Sequence, residues 1–151
     1  MTTRSTEVND EARRVDAQRL RDAGLRVTAP RLAVLAAVRA GNHLAADDVT
    51  AAARERIGSI STQATYDVLA ALVRVGLVRR IEPAGSPARF ETRVADNHHH
   101  IICRRCGVAV DVDCAMSQAP CLEPPGAAGF VIDEAEVIFW GVCPDCRRSR
   151  R

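Results

Sequence analysis

Two Cys-x-x-Cys pairs, Cys103-Arg104-Arg105-Cys106 and Cys143-Pro144-Asp145-Cys146, constrain this chain more than any other feature. Four thiolates in two such pairs match a closed tetrahedral zinc site, and the long spacer means that the ion would pin distant strands together. A dithiol redox motif of the thioredoxin kind is the alternative for Cys143 and Cys146, but it leaves the other pair unexplained. A staple suits the composition. In 151 residues the apolar share is 47% but aromatics are only 3%, so the core relies on Ala, Val, Leu and Ile and is light for its length.

All six cysteines lie after residue 100. The half before them has the pattern of a small helical domain closed by a hairpin. A polar helix is expected from about Asp10 to Ala23, with Ala12, Val15, Leu20 and Ala23 inward and Gly24 as its stop. Thr28 and Pro30 start a second helix, through Leu32, Leu35 and Val38, that ends at Gly41. A third begins near Ala45, with Asp47 and Asp48 in its first turn and Gly58 after it. Ser61 caps a fourth, with Leu69, Leu72 and Val73 as its apolar seam and Gly76-Leu77 as its C-terminal stop.

The opposite face of that fourth helix carries Gln63, Tyr66, Asp67, Ala70 and Arg74 at spacings of three and four, a composition suited to reading DNA. Strands over Leu77–Ile81 and Ala88–Glu91, around Pro83, Gly85, Ser86 and Pro87, complete a winged helix-turn-helix. A helical domain with no groove-reading role is the plainer reading. Charge favours the former: all basic side chains are Arg, with 13 against 9 acids in residues 1–80 and 8 against 10 in residues 81–151.

Beyond a polar hinge at 93–97 the pattern becomes strand-like. His98–Cys103 and Val108–Val112 are expected strands, Gly129–Val142 reads as two more, and at most one short turn is expected near Met116. Val137, Ile138, Phe139, Trp140 and Val142 make the last strand apolar on both faces, so it needs cover on both sides, which a dimer interface or a well-covered monomer core would supply. In a strand His98 and His100 share one face while His99 takes the other. Glu91, Asp111 and His43 are candidate companions, and such nitrogen and oxygen donors suit Fe(II), Mn(II) or Zn(II). Cys114 and Cys121 stand outside both pairs and are open to three readings: inert thiols, a disulfide or a redox switch.

Taken together, Gly24-Leu25-Arg26-Val27-Thr28-Ala29-Pro30-Arg31, Ala64-Thr65-Tyr66-Asp67-Val68-Leu69, Arg89-Phe90-Glu91 and His98-His99-His100-Ile101-Ile102-Cys103-Arg104-Arg105-Cys106-Gly107 resemble the ferric uptake regulator superfamily. Asp96-Asn97-His98-His99-His100 and Asp133-Glu134-Ala135-Glu136-Val137 are most similar to its peroxide-sensing branch, repressors of catalase-peroxidase genes. The resemblance implies a regulatory site of His43, Glu91, His98, His100 and Asp111 that bridges the two domains and holds Fe(II) or Mn(II), with Zn(II) an occupant in vitro. It also implies a homodimer on double-stranded operator DNA, with Tyr66 in the major groove, Arg26 near phosphate or the minor groove, and Gln63 and Arg74 as further contacts from the helical face. Asp111 stands where peroxide-sensing relatives carry Asp, which implies that Fe(II) reacts with hydrogen peroxide, an imidazole is oxidised and the repressor leaves its DNA. A further metal site of some relatives lacks ligands here, with Ala135 and Asn97 in histidine positions, so His99 is expected to have no complete site.

The fold expected is therefore α+β: a winged helix-turn-helix over 1–92, a hinge over 93–97, and a C-terminal α/β dimerisation domain with structural zinc over 98–151. The function expected is a metal-dependent repressor, not an enzyme, controlling a catalase-peroxidase gene and its own. An iron- or zinc-uptake repressor without peroxide chemistry, or a repressor sensing oxidants through Cys114 and Cys121, keeps the same architecture. A zinc enzyme using the histidine cluster on bound water, with Glu91 or Asp111 as base, would need an open coordination position and a substrate pocket that nothing in the pattern signals. No run approaches the roughly 18 apolar residues of a membrane span, and the N-terminus lacks a secretory h-region, so a cytoplasmic protein with no membrane partner is expected.

Overall fold

The structure is a computed structural model that describes residues 3–115, 120–122, 124–133 and 135–149, with the side chains of 3–7 left aside. The chain forms two compact units, Met1–Val94 and Ala95–Arg151.

Unit 1 is built from α1 (Thr3–Asp22), α2 (Ala29–Gly41), β1 (Leu44–Ala45), α3 (Ala46–Ile57), α4 (Thr62–Arg74), β2 (Arg79–Ile81) and β3 (Arg89–Glu91). Local chemistry sets the boundaries. The Thr28 hydroxyl accepts from the Arg31 N–H at the start of α2, and the Ser61 hydroxyl accepts from Ala64 N–H at 3.0 Å at the start of α4. Helix α4 ends in a Schellman motif: Leu77 N–H reaches Leu72 O, Gly76 N–H reaches Val73 O, and Gly76 sits at φ +71°. Gly24 and Leu25 close α1 the same way on Arg21 and Leu20.

Helix α1 begins seven residues before the expected Asp10, because hydrophobic periodicity cannot see polar turns that contain no Gly or Pro breaker. Its inward side also differs from expectation. Val15 is exposed, whereas Asp16, Ala17 and Leu20 are buried, because Arg39 of α2 holds the Asp16 carboxylate at 3.0 Å and compensates its desolvation. Leu20, Val34, Leu35, Val38, Val49 and Leu72 anchor one continuous core with Phe90 of β3. The hairpin β2–β3 is joined on the other edge of β3 by β1, giving a three-stranded antiparallel sheet in the order β1-β3-β2 with Leu44 opposite Phe90. A two-residue strand such as β1 leaves no periodic signal in sequence.

Unit 2 contains β4 (His98–Cys103), β5 (Ala109–Asp113), β6 (Ile138–Gly141) and α5 (Pro144–Arg148). Strand β4 is central, antiparallel to β5 and parallel to β6. Among the described residues, the stretch before β6 forms no strand, contrary to the expectation of two strands over 129–142; Phe130 and Val131 are exposed, and no neighbouring strand pairs their backbone. The short turn expected near Met116 lies outside the described residues. Among the described residues of this unit, only Ile102 and Cys103 are buried apolar side chains.

Candidate metal centres and nucleic-acid interface

The four cysteines converge at the ends of β4 and β6. Cys103 and Cys106 flank the turn that Gly107 closes at φ +75°, while Cys143 is the N-cap of α5 and Pro144 its first residue, so Cys146 falls one turn later on the same side. The sulfurs of Cys103, Cys106, Cys143 and Cys146 lie within 4.8 Å of one another, and Cys106 and Cys143 are 3.7 Å apart. A tetrahedral ion with bonds of about 2.3 Å places its sulfurs roughly 3.8 Å apart, so the donor set fits zinc. Backbone N–H groups point at the sulfurs, from Cys143 to Cys103 Sγ at 3.3 Å and from Cys146 to Cys143 Sγ at 3.4 Å. Amides of Cys143 and Cys106 pull the Cys103 thiol down to about 6. The neighbouring thiols, Cys106 and Cys143 foremost, push Cys146 up to about 12: packed sulfurs cannot all ionise without a cation among them. The Arg105 guanidinium donates to the Cys146 and Ser149 carbonyls, lacing the two knuckles together.

The two faces of β4 carry different donors. His98 and His100 point to one side, with ring centroids 4.9 Å apart, and Asp111 stands opposite His100 on β5. Asp111 Oδ1 lies 3.8 Å from His98 Nε2 and 3.6 Å from His100 Nε2. Those separations are too long for hydrogen bonds, but donors sharing one ion at about 2.0–2.2 Å need a spacing only slightly shorter. Asp96 Oδ1 sits 2.6 Å from His98 Nδ1, so that the ring donates there and turns its Nε2 lone pair toward Asp111. The sequence reading missed this orienting role, although Asp96 lies two residues before His98, within local reach.

In unit 1, Asn42 and His43 follow α2 at φ 39° and 60°, a left-handed reversal that non-glycine residues rarely adopt. It brings His43 Nε2 to 2.9 Å from Glu91 Oε2 at the end of β3, both residues being buried, while Arg89 donates to the His43 carbonyl. Glu91 thus stands beside His43 in unit 1, and Asp111 beside His98 and His100 in unit 2.

The outer face of α4 is open. Gln63, Tyr66, Asp67, Ala70 and Arg74 are all exposed, and Gln63 donates to Asp67 Oδ1 at 2.9 Å one turn along. A cleft of about 400 Å³ separates α4 from the hairpin, with Tyr66, Arg74 and Arg80 among its walls. Arg26, also exposed, precedes α2, and its carbonyl accepts from the Arg31 guanidinium.

Cys114 and Cys121 are thiols, and both lie beside His99: the three offer donor atoms within 4.8 Å of one another. Burial and the adjoining Cys114 push the Cys121 thiol up, the opposite of what an activated redox thiol needs. No sequence spacing brings Cys121 to His99; the approach comes from the chain beyond β5.

A winged helix with an open polar recognition face, followed by a thiolate-knuckled sheet carrying imidazole and carboxylate donors, defines a metal-binding transcriptional regulator of the winged-helix class. Residues 22–139 match the Ferric uptake regulator family. The chain is 58% identical over 133 residues to the transcriptional regulator FurA of Mycobacterium tuberculosis, covering 88% of this chain and 90% of that protein. It is also 58% identical over 131 residues to the ferric uptake regulation protein 1 of Mycolicibacterium fortuitum, covering 87% and 81%. Among solved structures, the ferric uptake regulator of Pseudomonas aeruginosa with manganese superposes with a TM-score of 0.67 at 28% identity, covering 86% of this chain and 98% of that one. The chain belongs to the ferric uptake regulator family: it is a metal-dependent, DNA-binding transcriptional regulator and not an enzyme.

Proposed function

We propose that this protein is a cytoplasmic, homodimeric repressor whose grip on operator DNA is set by a divalent ion, Fe(II) or Mn(II), and released by hydrogen peroxide. The observation that carries the proposal is the placement of Asp111 Oδ1 within 3.8 Å of two buried imidazole nitrogens, one of them oriented by Asp96. Two imidazoles and a carboxylate on one face are the donor composition that Fe(II) takes in non-haem centres, and it is poor in the thiolates that would favour softer ions. His98, His100 and Asp111 would hold the ion together with His43 and Glu91, and zinc would sit in the tetrathiolate of Cys103, Cys106, Cys143 and Cys146.

Because His43 and Glu91 belong to one compact unit and His98, His100 and Asp111 to the second, an ion shared by all five would restrict how the units move against each other. Metal then acts by population shift, favouring DNA-competent arrangements only to the extent that it binds them more tightly. Tyr66, Gln63 and Arg74 on α4 are the proposed groove-reading side chains, and Arg26 the phosphate or minor-groove contact. For the dimer, Val110, Ile101 and Phe139 stand in register across β5, β4 and β6 and are 53%, 42% and 49% exposed. A second copy of this sheet is the cover that such an apolar row requires.

When bound, Fe(II) would supply the electron that reductive cleavage of peroxide requires, and the imidazoles of His98, His100 and His43, as its ligands, would be the groups exposed to the oxidant so formed. Loss of one removes a ligand and with it the ion's hold. The test is binding to the DNA upstream of the protein's own gene, with the zinc-loaded protein given Fe(II), Mn(II) or no further metal, before and after peroxide. Tight binding with either metal, lost to peroxide only with Fe(II) and accompanied by oxygen added to a histidine-bearing peptide, is expected. Metal-dependent binding that survives peroxide would instead identify a metal-uptake repressor, and binding indifferent to the labile metal would overturn the proposal.

A further inference from the structure

The second face of β4 carries a donor set that neither the tetrathiolate nor the His98–His100–Asp111 group uses. Strand alternation puts His99 and Ile101 on that face, opposite to His98 and His100. The β4–β5 ladder continues one pair beyond the strands, because Cys114 N–H donates to Asn97 O at 3.1 Å. The pair Asn97–Cys114 therefore shares the face of His99, and Cys114 becomes its diagonal neighbour. Cys121 arrives from the following chain and places Sγ 3.2 Å from His99 Nε2. The His99 ring is buried and braced edge-on against Phe139, with centroids 6.4 Å apart, so its direction is fixed before any ligand arrives.

We propose that His99, Cys114 and Cys121 form a third metal site, selective for a thiophilic d10 cation of the Zn(II) or Cu(I) type. One imidazole nitrogen and two sulfurs lie within 4.8 Å of one another, close to the spacing that bonds of about 2.0 Å to nitrogen and 2.3 Å to sulfur impose. Both thiols are half-buried, so an ion can reach them while the imidazole stays packed. Binding releases the two thiol protons to solvent and leaves a coordination position for water or a further donor. The sheet thereby separates two metals by chemistry: nitrogen and oxygen donors on one face suit Fe(II) or Mn(II), while nitrogen and sulfur donors on the other reject them.

The test uses full-length protein with zinc in the tetrathiolate, carrying His100→Ala and Asp111→Ala so that the other donor group is removed. Titrated Co(II) should give one equivalent per chain of a near-ultraviolet thiolate-to-cobalt band with intense visible bands of tetrahedral type. Cys114→Ser/Cys121→Ser in the same background should abolish the band, and His99→Ala should weaken cobalt binding by about tenfold or more. Retention of one zinc by native mass spectrometry and an unchanged far-ultraviolet spectrum certify the fold of each variant. In the chain without substitutions, added Zn(II) should protect Cys114 and Cys121 together from iodoacetamide. The proposal is overturned if no thiolate band appears, if the band persists without Cys114 and Cys121, or if the two thiols pair as a disulfide equally fast with and without zinc. None of these readouts depends on operator binding, so their failure leaves the peroxide-release proposal standing on its own test.

Discussion

Replacing Cys143 by Ser should unfold unit 2 while leaving unit 1 intact. Among its described residues, unit 2 buries only Ile102 and Cys103 as apolar side chains, and a fully buried Ile contributes about 1.5–3 kcal/mol. Zinc held by a folded knuckle contributes about 10–16 kcal/mol at neutral pH, several times more, so a zinc ion in the tetrathiolate would decide whether this sheet forms. Cys143 serves three purposes at once: its Sγ is 3.7 Å from Cys106, its N–H donates to Cys103 Sγ, and its sulfur caps α5 by accepting from Cys146. Serine keeps the cap but is a poor zinc ligand. Unit 1, whose core runs from Leu20 through Leu72 to Phe90, requires no metal for its own packing. Amide hydrogen exchange followed by mass spectrometry separates the two. Protection over 98–103, 109–113 and 138–141 should fall to that of unfolded chain, while 29–41, 46–57 and 62–74 keep theirs. If the amides of β4 stay as protected as in the zinc-loaded protein, the reasoning is wrong and the sheet draws its stability from elsewhere.

Three further outcomes follow from particular contacts. Ser61→Ala deletes the cap of α4 and should cost about 1 kcal/mol, lowering the Tm of unit 1 by about 4–8 °C in a thermal melt. Asp96→Ala frees the Nδ1 side of His98 and should weaken Mn(II) binding by about 10–100-fold in a calorimetric titration, with the zinc content of the tetrathiolate unchanged. Arg39→Ala leaves the Asp16 carboxylate buried beside no guanidinium; because Arg39 is 40% exposed and water softens the loss, the cost should be about 1–2 kcal/mol by urea denaturation, partly restored by adding Asp16→Asn.

Much of this was legible from residues near one another in the chain. The starts of α2 and α4 followed from Thr28 and Ser61, and the stop of α4 from Gly76, because caps act over three or four residues. The opposed faces of His98, His99 and His100 followed from strand alternation alone. The sequence misled where partners come from afar: the periodicity puts Val15 inward and does not single out Asp16, since nothing local reveals that Arg39 would neutralise a buried carboxylate. Likewise, Gly129 to Val137 has strand-like composition, but composition cannot provide the neighbour that a strand must pair with.

The cysteine spacing, the cap residues and the exposed face of α4 were written in the chain itself, because each depends on geometry repeated within a few residues. Tertiary structure alone decided that Asp111 stands across from His100, that His43 turns onto Glu91 through a left-handed reversal, and that Cys121 approaches His99. Those meetings depend on sheet register and on the path of loops, which bring residues together without leaving a period in the sequence.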